Sequence, residues 1–256
     1  MKDFVLKPKM PTRKELDALA RQWWEFCEPH CFHKWSDALL GLTYPLKMVP
    51  LPRRMIRDFF MLTERGHKPK DVARVRAEFA GMIDEALAET GWHGRFFAKL
   101  CTRSPKDYLT DDVMPRPLFD GDDLFEAMMS SMRCFDDLCQ LVRLDVAYIV
   151  IRPYIDIEPH QEWRVFIKDG GIAGISQYHY EADVHLIPAI NKIRDVQIRE
   201  FVTGSVIPNF PLKDFVADLV VTGYGITLLE INPYGTSDPC LFGSYDNLDG
   251  TMKFLA

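Results

Sequence analysis

The sequence has no apolar run approaching the roughly 20 residues that a bilayer span needs. Residues 1–9 carry neither the apolar stretch nor the small-residue cleavage site of a secretory leader. A cytoplasmic chain with no membrane partner is therefore expected. Positive charge is not in excess: 31 Lys and Arg face 37 Asp and Glu, a net charge of -6, so no global field draws the chain to nucleic acid or anionic lipid. Cysteine is scarce, and Cys27, Cys31, Cys101, Cys134, Cys139 and Cys240 are too scattered for a disulfide scaffold. There is no internal repeat and no low-complexity linker. Gly170-Gly171 precedes a strand pattern and not a helix, which removes a dinucleotide fingerprint.

What is present is a globular composition, 47% hydrophobic and 27% charged over 256 residues, enough for one large domain or two modest ones. Apolar spacing predicts helices over 13–26, 54–63 and 69–90, the last stopped by Gly91, with the proline-bearing stretch 44–53 irregular. From Gly94 the pattern changes. A buried strand is expected over 95–100, a helix over 121–140, a strand over 147–151 and a hairpin of 162–168 with 172–177 about Asp169-Gly170-Gly171. A helix over 183–203 and a second hairpin, 214–221 with 226–231, complete an α+β order with antiparallel pairs. The organisation read is a helical N-terminal region 1–93, a first lobe 94–150 and a second lobe 151–256.

The last hairpin carries the strongest chemical signal. In Leu228-Leu229-Glu230-Ile231-Asn232-Pro233, Glu230 and Asn232 point to one face of the strand. A three-residue loop sets Asp218 opposite Glu230 on that face, whereas a two-residue loop sets it opposite Leu229. Val216, Val220 and Leu228 are read as apolar neighbours there. Two carboxylates and an amide oxygen clustered on a sheet repel unless a cation joins them, and hard oxygen donors suit Mg²⁺ shared with substrate phosphates. Lys99, charged within an otherwise apolar strand and sharing a face with Phe97, needs an anionic partner, which a phosphate supplies. Arg164 lies on the Glu162 side of its strand, away from Trp163 and Val165, where spacing alone allows an ordinary ion pair.

These segments resemble, in order and spacing, the cell-division-cycle protein 123 family, a branch of the ATP-grasp superfamily. The resemblance covers about residues 94–248. It rests on Phe97-Ala98-Lys99-Leu100 with Ser104-Pro105-Lys106-Asp107, on Glu162-Trp163-Arg164-Val165-Phe166, on Gly174-Ile175-Ser176-Gln177-Tyr178 and on Leu229-Glu230-Ile231-Asn232-Pro233-Tyr234-Gly235. It implies an ATP-grasp-like α+β fold in which two lobes with antiparallel sheets enclose a nucleotide site. Lys99 and Arg164 would then meet ATP phosphates as the catalytic cations, with Ser104, Lys106 and Asp107 in a loop near them and Glu162 and Gln177 also at the nucleotide. The strand end Arg152, Pro153, Tyr154 and Ile155 would be the hinge whose backbone meets adenine, and Asp218, Glu230 and Asn232 would hold Mg²⁺. Glu230 stands where the family motif has aspartate, which keeps the carboxylate and lengthens its reach.

Eukaryotic members of that family are known as assembly chaperones for translation initiation factor 2. Here no extended acidic tail follows Tyr245-Asp246-Asn247-Leu248, and ligation is the commonest ATP-grasp activity. The expectation is an ATP-dependent ligase passing a phosphoryl or adenylyl group to an unidentified acceptor, RNA or protein. The alternative is an ATP-gated assembly chaperone whose partner is a translation factor GTPase.

Other features have plainer readings. Cys27, His30, Cys31 and His33 lie too close in sequence to enclose one zinc ion, and Pro29 breaks the helix between them, so packing near Trp23, Trp24 and Trp35 is expected. Arg53, Arg54, Arg57, Lys68, Lys70, Arg74 and Arg76 read as solvated helix faces, and they are all that motivates an RNA acceptor. Met128, Met129 and Met132 read as core, and Tyr178, His179 and Tyr180 as packing at a strand end.

Overall fold

Capping chemistry sets the first elements of the computed structural model, which describes residues 11–64, 68–92, 94–111, 114–182 and 184–256. The opening residues 1–9, where a leader was sought, lie outside that range. Thr12 and Glu15 form a capping box at the start of α1 (Arg13–Cys27). After α2 (Asp37–Leu40), capped by Ser36, come β1 (Lys47–Pro50), α3 (Arg53–Glu64) and α4 (Pro69–Thr90). Helix α4 stops at Gly91, whose φ of 68° costs glycine nothing. The stretch 44–53 is thus not wholly irregular. Residues 47–50 form an edge strand, the one place in a sheet that tolerates a terminal proline.

Next come β2 (Phe96–Leu100), α5 (Lys106–Leu109), the two-residue strands β3 (Thr110–Asp111) and β4 (Met114–Pro115), α6 (Gly121–Ser130), α7 (Met132–Leu144) and β5 (Tyr148–Pro153). Strands β1, β5 and β2 form an antiparallel sheet in that order. The single helix expected over 121–140 is broken, because Ser131 takes an extended conformation and its hydroxyl caps α7 by accepting from the Cys134 N–H. The break rotates α7 relative to α6, and Met132 is 66% exposed while Met128 stays in the core. At Gly121 the backbone of α6 lies close against α4: a Cβ there would stand 2.4 Å from the Ala80 carbonyl oxygen.

The second sheet is built from β6 (Glu162–Lys168), β7 (Gly171–Gln177), β8 (Phe215–Thr222), β9 (Gly225–Pro233) and β10 (Met252–Lys253), with α8 (Pro188–Phe201) between β7 and β8. Its order is β10, β7, β6, β8, β9, antiparallel except for the β10–β7 pair. Asp169 and Gly170, at φ of 53° and 76°, make the two-residue turn between β6 and β7. The helix expected from 183 starts at Pro188, which supplies the fixed φ of a first turn, and residue 183 is outside the described range.

Alternation along the strands divides the side chains. Phe96, Ala98, Leu100, Ile149 and Ile151 pack with α3, α4, α6 and α7 in one core. Trp163, Val165, Ile167, Phe215, Ala217 and Leu219 pack with Ile198 of α8 and with Phe32, Trp35 and Leu39 in another. The regions 1–93, 94–150 and 151–256 therefore do not map singly onto these layers. Strand β1 and helices α3 and α4 build the first lobe, and β5 runs across position 150. The sheet faces left over carry Phe97, Lys99 and Arg152 on one side and Glu162, Arg164, Asp218 and Glu230 on the other, and they meet where Lys99 reaches Glu230.

Candidate functional site

The β8–β9 turn has two residues, Gly223 and Tyr224, because Thr222 pairs with Gly225. By parity that turn would set Asp218 against Leu229. A bulge at Leu229 restores the pairing of Asp218 with Glu230, while Leu219 pairs with Leu228. The convergence expected from the sequence is present, but by a two-residue turn plus a bulge and not by a three-residue loop. The same bulge turns Leu228 onto the opposite face, into the α8 core.

The carboxylates meet side-chain cations. Arg164, directly across β6–β8 from Asp218, donates Nε and Nη2 to its two oxygens at 2.8 Å each, and Nη1 to the Asp238 carbonyl at 3.0 Å. Lys99 Nζ donates to Glu230 Oε2 at 2.7 Å. Asn232 Nδ2 lies between the two acids, 3.1 Å from Asp218 Oδ2 and 3.2 Å from Glu230 Oε1. Burial works against the Glu230 charge, yet Lys99, Lys106 and Arg152 outweigh it and hold the carboxyl well below its usual range. Lys106 donates to the Tyr178 hydroxyl at 2.6 Å, and no salt bridge to it is found among the described residues. Burial disfavours its charge too, but Tyr178, Glu230 and Glu162 raise its pKa.

Two cavities adjoin at this cluster. The first, about 220 Å³, lies beside the end of β5, walled by Phe97, Tyr44, Leu229, Glu162 and the run Arg152 to Ile155. The second, about 470 Å³, is polar, with Lys99, Arg103, Arg133, Arg164, Asn232 and Asp238 on its walls. Ser104, Lys106, Tyr178 and Glu230 line both. Asp218 is sealed behind Arg164, 1% exposed. Arg152 stacks 4.7 Å over Phe97 and donates to the Leu229 carbonyl at 3.2 Å, and burial lowers its pKa. The Tyr154 N–H is taken by the Arg95 carbonyl at 3.1 Å and its hydroxyl by the Pro115 carbonyl at 2.7 Å.

Two expected residues stand elsewhere. Asp107 accepts from the Ser131 hydroxyl and the Arg133 N–H, fixing the start of α7 and not facing either cavity. Gln177 pairs in register with Trp163, so its side chain falls on the α8 side of the sheet, donating to the Val184 carbonyl and accepting from the Leu255 N–H. Other residues gain a place in the site. Tyr178, read as packing, is one of the walls common to both cavities, its ring 4.5 Å from the Arg164 guanidinium carbon. His179 lies 2.8 Å from Glu162 in the first cavity. Asp137, missed in the sequence, is a buried carboxylate accepting from Thr102 and pairing with Arg103 at 3.2 Å, its pKa raised by burial. Its place three residues after Cys134 on a helix face gave no signal to separate it from the exposed Asp136.

The cysteine–histidine run is packed among aromatic rings and a further cysteine. Cys31 contacts Cys101, His33 stacks between Trp24 and Tyr148, and no group of three metal-competent side chains is found among the described residues. Arg53, Arg54, Arg57, Arg74 and Arg76 all pair with neighbouring carboxylates, chiefly Asp58, Glu78, Asp122 and Asp145.

A family model, D123, matches residues 63–253. Relatives include the translation initiation factor eIF2 assembly protein of Candida albicans, 32% identical over 192 residues, 67% of this chain and 53% of that protein. The eIF2 assembly protein of Vanderwaltozyma polyspora is 39% identical over 97 residues, 37% of this chain and 26% of that one. The matches thus span about a quarter to about half of these relatives' length. Cdc123 from Schizosaccharomyces pombe superimposes with a TM-score of 0.69 at 19% identity, over 91% of this chain and 97% of that one, so the two share a fold. No helix among the described residues is long and apolar enough to cross a membrane. With a family match over most of its length and a two-sheet cleft of the kind the motifs implied, the chain belongs to the D123, or Cdc123, family and has an ATP-grasp-like fold.

Proposed function

We propose that this chain is a nucleotide-binding assembly factor for a translation initiation factor GTPase, and that it holds Mg²⁺-ATP in the cleft between its two sheets. The observation that carries the nucleotide part is the charge inventory of the cleft. Lys99, Arg103, Lys106, Arg133, Arg152 and Arg164 face Asp137, Glu162, Glu230 and Asp238, with Asp218 behind Arg164, a surplus of one cation next to a cavity walled largely by apolar side chains. Such a surplus, largely desolvated, favours an anion that brings its own counter-cation.

The donor chemistry fits Mg²⁺: Asp218 and Glu230 offer hard carboxylate oxygens, and a flip of the Asn232 amide turns its oxygen toward them. These three residues would hold the ion, which would supply charge between phosphate oxygens. Lys106, hydrogen-bonded to a phenol and to no carboxylate among the described residues, would take a phosphate without giving up an ion pair, with Lys99 and Arg164 sharing theirs between the acids and the ligand. Phe97, Tyr44 and the run Arg152 to Ile155 would frame the base, and the Tyr178 ring would close the space between base and phosphates. The relatives named for eIF2 assembly support the partner part, and they favour this reading over a ligase.

Calorimetry with Mg²⁺-ATP on the wild type, Lys106→Met and Glu230→Ala tests the site. Micromolar binding by the wild type, weakened at least about tenfold in both variants, is expected. Absence of binding by the wild type refutes the nucleotide reading. ADP or AMP formation that depends on added extract and is lost in both variants would restore the ligase.

A further inference from the structure

Helix α1 packs on α7, held in part by Arg143 to Asp17 at 3.3 Å, yet among the described residues nothing covers a hydrophobic stripe on it. Leu19 is 56% exposed and Phe26 46% exposed, and with Trp23 they fall at i, i+7 and i+4 on one face. That stripe lines an open groove of about 580 Å³ between α1 and α7, whose other wall carries Asp136, Gln140 and the Arg103–Asp137 pair. Trp23, Phe26, Arg103 and Asp137 line this groove and the 470 Å³ polar cavity alike. The groove is therefore an entrance from solvent to Lys99 and Glu230.

Charge is graded along it. Arg133 is on the inner cavity only, exposed, and no hydrogen bond or ion pair from its guanidinium is found among the described residues. Asp136 is on the outer groove only. An occupant that complements both the charge and the stripe has a carboxylate inward, beside Arg133, and an apolar side chain outward, on Leu19, Trp23 and Phe26. We propose that the groove docks an extended segment of a partner protein in which an acidic residue lies next to an apolar one, presented with the acid toward the nucleotide cleft.

A single-stranded RNA fits less well. The groove has Asp136 and Asp137 on its wall, and the arginines of α3 and α4 that could continue a phosphate track are ion-paired. This proposal takes from the assembly-factor reading only that the partner is a protein. Because Trp23 and Phe26 belong to both spaces, occupancy of the groove and of the cleft is coupled, and the coupling is reciprocal.

The test is selection of displayed random heptapeptides on the full chain, followed by fluorescence anisotropy with the labelled winners. Phe26→Ala and Arg133→Glu serve as variants, since both side chains are exposed. Winners pairing Asp or Glu with Leu, Ile or Phe are expected, binding at least about tenfold weaker to either variant and to the wild type once their carboxylates are changed to amides. Failure to enrich any peptide over the double variant, winners rich in Lys and Arg, or equal binding by Phe26→Ala would overturn the proposal. So would a labelled decauridylate that binds in a Phe26-dependent way and displaces the peptides. If peptides bind as described and the wild type takes up no ATP, the nucleotide reading fails and the groove stands.

Discussion

Replacing Lys99 by methionine isolates the central electrostatic claim, because the side chain keeps nearly the same length and loses only its charge. The Lys99 and Glu230 side chains are 8% and 18% exposed and 2.7 Å apart. Removing one partner of a buried pair typically costs about 3–5 kcal/mol, because the other charge stays buried without it. Here Asn232 still donates to Glu230 at 3.2 Å, and Lys106 and Arg152 still lower its pKa, so the lower end of that range, about 3 kcal/mol, is expected. Urea unfolding at pH 8 would show the loss as a lower midpoint at unchanged slope.

The pH dependence gives the sharper test. In the wild type the Glu230 carboxyl is held below the ordinary value, so its stabilisation is present above about pH 4.3 and is lost as pH falls through the depressed value. In Lys99→Met burial, which opposes the charge, gains weight and the carboxyl titrates higher. The folded variant then takes up a proton more readily than before, and its deficit against wild type shrinks between pH 8 and pH 5. The double variant Lys99→Met/Glu230→Leu, which removes both charges, should recover most of the loss. A deficit under about 0.5 kcal/mol at pH 8, or one that grows toward pH 5, would refute the reasoning, since that is the size of an exposed pair.

Other consequences are checked as readily. Arg164→Lys gives up the two-point contact with Asp218 and should cost about 2–3 kcal/mol in the same urea assay, with the charge kept. His30, buried against Phe210 with both ring nitrogens unpartnered among the described residues, has its pKa lowered by burial to about 4. The unfolded chain therefore binds the extra proton between about pH 6.5 and 4, and stability falls as pH drops through that window by up to about 3 kcal/mol. His30→Leu should flatten that part of the stability profile, and a profile unchanged from wild type would contradict the burial argument. Gly121→Ala drives a methyl into the Ala80 backbone and should lower stability by about 3 kcal/mol, whereas a neutral result would mean that α4 and α6 part easily.

Elements with local signals were legible. The stop of α4 at Gly91, the Asp169-Gly170 turn and the β8–β9 hairpin follow from residues that dictate their own backbone. Elements settled by partners elsewhere in the chain were not. Residues 47–50 are a strand only because β5 offers an edge, and the proline that hid the strand from the sequence is tolerated because it lies at that edge. Ser131 breaks a well-patterned helix because its hydroxyl and the Asp107 carboxylate hold the first turn of α7 from outside. That contact also accounts for Asp107, an acid in a loop of apparent phosphate chemistry whose work is capping.

The site shows the same division one level up. Which residue types belong in the cleft follows from alternation: Lys99 with Phe97, Arg164 with Glu162, Glu230 with Asn232, each on the face away from its strand's apolar side chains. What joins them depends on register, and register turned on one bulge that no residue type announces. Without the bulge, Asp218 would oppose Leu229, and Glu230 would pair with the residue beside it. Gln177 marks the limit from the other side, since in a motif read as one unit a single step along β7 sends Ser176 toward the Arg164 face and Gln177 into the α8 core. The repulsion argument for Asp218 and Glu230 correctly required a cation between them. It did not distinguish an ion from a side chain, and in the structure Arg164 pairs with Asp218 and Lys99 with Glu230 while Asn232 bridges the two acids. A divalent ion and triphosphate entering the cleft would therefore rearrange existing pairs, which makes the Lys99 and Arg164 contacts the ones that nucleotide binding must perturb.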